Sequence, residues 1–403
     1  MAMHCVQSIA PDVLYVGGSD RRQALFENVF PIPRGVSYNA YLVLDEKTVL
    51  LDTVDSSIGE RFFENLTWGL AGRELDYVVV NHMEPDHAAT LGEVLRRYPG
   101  ARVVGSAKTM AMIGQFFAAD VTERSVTVKE GDSLSTGRHC FTFLMAPMVH
   151  WPEVMVTYDT AGGMLFSADA FGTFGALSGH LFADKLDFPG EWLADARRYY
   201  ANIVGKYGVQ VQSLLKKTAG LDIRMLCPLH GPIWRRDIPW FVEKYRAWST
   251  YAPEEQGVLI ACASVYGNTE NAAEIVAARL AERGVEKIAL YDLSHCPVSH
   301  LVGEAFRYSH LVLASATYNN GIFTPMESFL LDLKAHNFQN RTVALIENGT
   351  WGPQAGKLMG EAVGAMKNMT VLEDTVSIRS AVKEDQRAAL LALADALAAD
   401  ILG

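Results

Sequence analysis

From Val258 onward, short apolar runs alternate with longer stretches in which apolar positions recur every three or four residues. Val258 to Ala263, Lys287 to Asp292, His310 to Ala316, Thr342 to Glu347 and Thr370 to Ile378 read as strands. Asn268 to Arg283, His300 to Tyr308, Met326 to His336, Gln354 to Lys367 and Lys383 to Ile401 read as helices. Strands interleaved with helices predict a doubly wound, five-stranded parallel sheet. Before residue 250 the pattern differs: paired strands at Ser37 to Leu44 and Thr48 to Asp52, a strand at Tyr77 to Asn81, a helix at Ala88 to Tyr98, and β-rich runs from Ser125 to Ser167. Helices return near Glu191 to Lys217 and at Ile238 to Ser249. That mixture predicts an α/β sandwich. The polar stretch Tyr251 to Gly257, with Pro253 and Gly257, marks the boundary, giving domains at 1–252 and 257–403.

Length and composition fit this division. A chain of 403 residues exceeds one typical domain, and 49% hydrophobic with 20% charged residues is a globular balance. The formal charge of -11 has the wrong sign for gripping a phosphate backbone, which argues against nucleic acid as a partner. No uncharged apolar run is long enough to cross a bilayer, and Met1 to Asp12 lacks a basic segment followed by an apolar core, so a cytoplasmic location away from the membrane is expected. Cys5, Cys140, Cys227, Cys262 and Cys296 are scattered and never form C-x-x-C. They suggest small buried hydrophobes rather than a disulfide framework or a thiolate metal site.

The chemistry concentrates at strand ends. Asn81-His82-Met83-Glu84-Pro85-Asp86-His87 packs four potential ligands, His82, Glu84, Asp86 and His87, directly after an apolar strand. In an extended segment His82, Glu84 and Asp86 share one side, and a turn into the next helix swings His87 towards them. Asp86 alone would read as a helix N-cap. Three further segments repeat the arrangement, placing His150, Asp169 and His230 after apolar runs. Each alone is an ordinary core or turn residue; together with the first run they point to a metal.

This pattern resembles the metallo-β-lactamase superfamily, with Glu84 where its hydrolases carry a second histidine. The form H-x-E-x-D-H, followed by His150, Asp169 and His230, is similar to the flavodiiron (A-type flavoprotein) family. An anionic oxygen ligand favours a metal that gains charge on oxidation, whereas neutral imidazole suits zinc. The resemblance implies that His82, Glu84 and His150 hold one iron, that Asp86, His87 and His230 hold the other, and that Asp169 bridges them. No catalytic residue beyond these ligands is implied; Trp151 stands either at the flavin-facing wall or in packing beside His150, and Tyr199 and Tyr200 read as amphipathic-helix residues rather than as lining of a gas pocket.

The second domain opens with Ser264, Tyr266, Gly267, Asn268 and Thr269 between its first strand and helix, where hydroxyls, an amide and free helix N–H groups can surround a phosphate. Two later strand ends, Thr317-Tyr318-Asn319-Asn320-Gly321 and Asn348-Gly349-Thr350-Trp351-Gly352, converge on it in an open parallel sheet. Jointly they resemble flavodoxin, which implies FMN, with Tyr318 or Trp351 against the ring. No G-x-G-x-x-G fingerprint for a dinucleotide is present.

Both modules stand in flavodiiron order. The resemblance implies a metallo-β-lactamase-like αββα sandwich followed by a flavodoxin-like domain, and a terminal reductase passing electrons from FMN to two irons that reduce O2 to water or NO to N2O. It also implies head-to-tail pairing, as a homodimer or dimer of dimers, to bring flavin and metals together. Without paired C-x-x-C motifs after the flavodoxin module, a separate donor is expected, rubredoxin first and a reduced deazaflavin second. The rival readings are a zinc hydrolase with an attached flavodoxin module and a plain electron-transfer protein with an inactive metal domain.

Overall fold

A computed structural model describes residues 4–117 and 121–403. The chain forms two compact units, Met1–Tyr199 with Val209–Arg246, and Tyr200–Gly208 with Ala247–Gly403.

The first unit is built on two sheets. One runs in the spatial order Gln7–Ala10, Val13–Tyr15, Tyr41–Leu44, Thr48–Leu51, Tyr77–Val79, Arg102–Ser106, Ser125–Val128. Hairpins make its first half antiparallel, and crossovers make Thr48–Leu51 through Ser125–Val128 parallel. Tyr41 to Val43 and Val49 to Leu51 are wholly buried, as expected of strands covered on both faces. Helix Gly59–Leu70 covers one side with Phe62, Phe63, Leu66 and Leu70. The other sheet runs Ser133–Ser135, Cys140–Met145, Met155–Asp159, Met164–Phe166, Met225–Cys227. The site segments all follow strands: residues 80–87 follow Tyr77–Val79, His150 follows Cys140–Met145, Asp169 follows Met164–Phe166, and His230 follows Met225–Cys227.

One local expectation is corrected. The segment after Tyr77–Val79 is not extended through Asp86. Pro85 opens a helical turn, Pro85–Ala88, with Glu84 at its N-cap making no side-chain cap bond. A proline at the first helical position fixes φ and costs no hydrogen bond, so the chain turns two residues earlier than alternation suggests. Asp86 and His87 thus sit inside the turn, and Asp86 is not the cap.

The second unit is a parallel sheet in the order Ile288–Asp292, Glu255–Ala263, Tyr308–Tyr318, Thr342–Asn348, with the fifth strand split into Thr370–Val371 and Val376–Ile378. The order reverses at the first strand, which creates a crevice beyond the carboxyl ends of the first and third. Val258, Ile260, Cys262, Val312, Ala314, Ala344 and Ile346 form one core with helices Asn268–Glu282 and Glu384–Leu402. Of the cysteines, Cys227 and Cys262 are buried as expected, while Cys5 is exposed and Cys140 and Cys296 are half-buried. Among the described residues no helix is long and apolar enough to cross a membrane.

Candidate metal centre and flavin cavity

The seven ligand candidates gather into two adjoining groups, all buried. His82, Glu84, His150 and Asp169 bring their donor atoms within 4.8 Å of one another, and so do Asp86, His87 and His230. Asp169 faces both. Its Oδ2 lies 3.0 Å from His150 Nε2 and 3.4 Å from His82 Nε2, while its Oδ1 lies 3.2 Å from His87 Nε2 and 3.7 Å from His230 Nε2. Glu84 Oε2 sits 2.9 Å from His150 Nε2 and 3.2 Å from His82 Nε2. Asp86 Oδ2 is 3.3 Å from His87 Nε2 and 3.2 Å from His230 Nε2.

The fit to two metal ions rests on unspent donors. Both oxygens of Asp86 and Oδ1 of Asp169 are buried with no hydrogen-bond partner, and four Nε2 atoms converge on three carboxylates. Buried polar atoms without partners are costly, and divalent ions would satisfy them. Burial opposes charge at His82, but the Asp169 charge and the hydrogen bonds of Asp169, Glu153 and Glu84 outweigh it and hold the imidazole's pKa well up. Asp169, although buried, is held well down by the same histidines.

Residues outside the predicted set complete the centre. Asp52 accepts the Asn81 backbone N–H at 2.7 Å and the Asn81 amide at 2.7 Å, fixing the segment that carries His82. Glu153 Oε1 lies 2.7 Å from His82 Nδ1. The Tyr199 hydroxyl is buried without a partner, its ring centroid 5.5 Å from that of His230. Gly172 makes room for it, since a Cβ there would stand 2.9 Å from the Tyr199 ring. A cavity of about 610 Å³ opens onto Glu84 and Asp86, lined also by Gln23, Glu27, Tyr38 and Asp55. Burial and the neighbouring Glu84 charge push the Glu27 carboxyl up to about 8.

In the second unit a cavity of about 680 Å³ is lined by Ser264, Tyr266, Asn268, Thr269, Thr317, Tyr318, Asn319, Asn320, Asn348, Gly349, Thr350, Trp351 and Gly352, all predicted, and by Val265, Ala316 and Ser380, which were not. That volume suits a drug-sized ligand. Gly267 and Gly321, also predicted, do not line it. Gly267 shapes the loop instead: at φ 87 it sits at the N-cap of helix Asn268–Glu282 and donates its N–H to Ser264 Oγ at 3.0 Å. No side chain caps that helix, so its first N–H groups remain available to an anion. Thr317 Oγ1 accepts the N–H groups of Gln354 and Ala355, so its hydroxyl holds the start of helix Ala355–Gly364. Tyr266 and Trp351 are 92% and 90% exposed, aromatic surfaces in reach of a planar ring. Ser380, missed because it follows the split fifth strand, hydrogen-bonds Thr350 Oγ1 at 2.9 Å and exchanges backbone bonds with the Asn348 side chain.

Residues 36–231 match the ODP family beta lactamase model. The chain is 31% identical over 369 residues to the nitric oxide reductase of Moorella thermoacetica, covering 91% of both chains. It is 32% identical over 324 residues to the anaerobic nitric oxide reductase flavorubredoxin of Aeromonas hydrophila, spanning 79% of this chain and 64% of that protein. The structure of rubredoxin oxygen:oxidoreductase from Desulfovibrio gigas superposes with a TM-score of 0.92 at 27% identity, covering 98% of each chain. These relatives are reductases, so the hydrolase alternative is not favoured. The sandwich and the doubly wound sheet are the metallo-β-lactamase-like and flavodoxin-like domains of such proteins, and the chain belongs to the flavodiiron protein family, an oxidoreductase whose cofactors are FMN and a non-haem diiron site.

Proposed function

We propose that this chain is a terminal reductase that takes electrons from a separate rubredoxin-type donor and reduces O2 to water or NO to N2O. The supporting observation is the pair of buried donor groups with Asp169 between them. In this reading His82, Glu84 and His150 hold one iron, Asp86, His87 and His230 the other, and Asp169 bridges. When bound, FMN would supply one-electron chemistry, and the two irons would supply a binuclear redox site for a small diatomic molecule.

The chain's own residues supply placement. Asp52 and Glu153 fix the His82 segment. Ser37 fixes His230 by accepting its Nδ1–H through the backbone carbonyl at 2.7 Å. The cavity beside Glu27 and Asp55 brings small molecules and solvent to Glu84 and Asp86, and Phe26 and Tyr38, which also line it, pack with Tyr199 around the His230 ring. Ser264, Asn268 and Thr269 receive the phosphate of FMN, and the loops at 317–321 and 348–352 flank its ring. Residues 1–252 carry the metals and 257–403 the flavin, in a cytoplasmic homodimer or dimer of dimers whose head-to-tail contact brings one protomer's flavin to its partner's irons.

The test is to quantify iron, zinc and FMN in purified protein and to follow O2 and NO consumption separately with one chemical reductant. Iron and FMN with gas turnover are expected. Tightly held zinc with neither gas consumed would overturn the reading.

A further inference from the structure

The two donor groups resemble each other in the atoms facing the centre and differ in what stands behind them. His82 Nδ1 lies 2.7 Å from Glu153 Oε1, which also accepts the Met83 backbone N–H at 2.9 Å. The Glu153 side chain is fully buried, and its Oε2 has no hydrogen-bond partner. Behind the other group, among the described residues, no carboxylate accepts a hydrogen bond from a histidine Nδ1. His230 Nδ1 donates to the Ser37 carbonyl at 2.7 Å, and His87 Nδ1 has no partner.

We propose that Glu153 is a positioning residue that makes the two iron positions electronically unequal, leaving the iron of His82, Glu84 and His150 richer in electron density and harder to reduce than its neighbour. The proposal rests on the diiron reading. A carboxylate accepting an imidazole N–H gives the ring partial imidazolate character and strengthens its other nitrogen as a donor. A backbone carbonyl carries no net charge and does this less. With one oxygen unpartnered and the side chain fully buried, the Glu153 charge is poorly screened, so its effect falls on His82.

The backbone that carries this carboxylate is also held in place. Ser106 Oγ donates to the Glu153 carbonyl at 3.1 Å and caps helix Ala107–Phe116 by accepting the Thr109 N–H. With iron bound, the position held by Asp86, His87 and His230 would be the one reduced first. The position held by His82, Glu84 and His150 would be reduced second, at the lower potential.

The experiment compares iron-loaded full-length protein with E153Q and S106A by redox titration, following both one-electron steps by EPR and Mössbauer spectroscopy, and by competition with a chelator. E153Q keeps an acceptor oxygen but removes the charge. Its second, lower potential is expected to rise by a tenfold change in the reduction equilibrium, about 59 mV for one electron. One of its two irons should be lost to chelator about 10- to 100-fold more readily, the usual cost of removing such a support. S106A, which loosens the loop without touching the charge, should leave both potentials in place. If E153Q fails to retain the weaker iron under any condition, selective loss of that one ion supports the proposal and parallel loss of both overturns it. Unchanged potentials and affinities in E153Q also overturn it while leaving the diiron reading intact. Wild-type protein that binds no iron would instead sink the diiron reading and the proposal with it.

Discussion

His87 Nε2 and His230 Nε2 face each other at 3.0 Å although 143 positions separate them in the chain. Because His230 gives its Nδ1–H to Ser37, the neutral ring presents a lone pair at Nε2. Lone pairs and carboxylates crowded this closely repel unless a cation sits among them. Chelating the metal is therefore expected to lower the melting temperature of the first unit and leave that of the second unchanged. At a metal concentration of 100 times Kd, each bound ion contributes about 2.7 kcal/mol to the first unit. Scanning calorimetry with and without chelator measures this, and two transitions that move together would contradict it.

Asp169 is the group that both halves of the centre share, so its removal should be felt by both. Asp169→Ala is expected to reduce iron content and to lower gas turnover by more than about 100-fold, beyond the usual loss for a supporting residue. FMN content should remain normal, since the cavity proposed to receive it is lined by residues between 264 and 380. Iron analysis, flavin absorbance and an oxygen electrode give the three readings, and normal iron with normal turnover would remove Asp169 from the bridge.

The flavin cradle makes the opposite prediction. Ser264→Ala with Thr269→Ala deletes two hydroxyls at the start of helix Asn268–Glu282, each worth about 1.5–3 kcal/mol if bonded to a charged phosphate. FMN affinity should fall at least about tenfold, with iron retained. Part of the loss will come through loop shape, because Ser264 Oγ accepts the Gly267 N–H. Ser380→Ala, which releases only the Thr350 hydroxyl, should have a smaller effect. Fluorescence titration of apoprotein with FMN separates the variants.

How much of this was legible beforehand follows from where each residue sits in the chain. The seven candidate ligands were visible because they crowd the ends of apolar runs, where a soluble core has no ordinary need for them. Glu153 was not, although it closely follows His150 in the chain, because its partner His82 lies 71 positions away. Tyr199 was set aside as a helix residue, and only the space left by Gly172 shows where its hydroxyl goes. The loops around the second unit's cavity were readable as strand ends, whereas Ser380 was hidden by the interruption of the last strand. The helical pattern from Glu191 to Lys217 gave no sign that Tyr200–Gly208 belongs to the second unit, since apolar periodicity does not report which core a helix face enters.

Arg341 supports a prediction about the second unit. Its side chain is 2% exposed and donates to the carbonyls of Tyr251, Ala305, Phe306, Gln339 and Asn340, with no carboxylate among these partners. Burial alone pushes its pKa down to about 9. A lysine offers fewer donors in a different geometry, so Arg341→Lys leaves at least one buried carbonyl unpaired, at about 1–3 kcal/mol. Denaturant unfolding of the second unit should show the loss, with iron content in the first unchanged. Equal stability of the two proteins would mean that water replaces the missing donors.

A pH effect on stability is expected from the turn that closes strands Ser133–Ser135 and Cys140–Met145. His139 is 1% exposed; its Nδ1 is 2.8 Å from Asp159 and its Nε2 2.9 Å from Asp12, which also pairs with Arg138. Asp45 holds the turn by accepting the backbone N–H groups of Arg138 and His139. The Asp159 hydrogen bond, opposed by burial and helped by Asp12, raises the pKa of His139 above its ordinary value. A base whose pKa is raised on folding contributes stability that is complete below its unfolded value of about 6.5 and is lost as pH climbs through the folded value. The first unit should therefore lose stability from neutral towards alkaline pH, and His139→Phe should remove that dependence. The variant should also be less stable at pH 6 by about 3–5 kcal/mol, because Asp159 keeps its burial and loses its cation. Thermal melts of both proteins between pH 6 and pH 9, with metal saturating, supply the comparison; parallel curves would show that His139 is not the group that titrates.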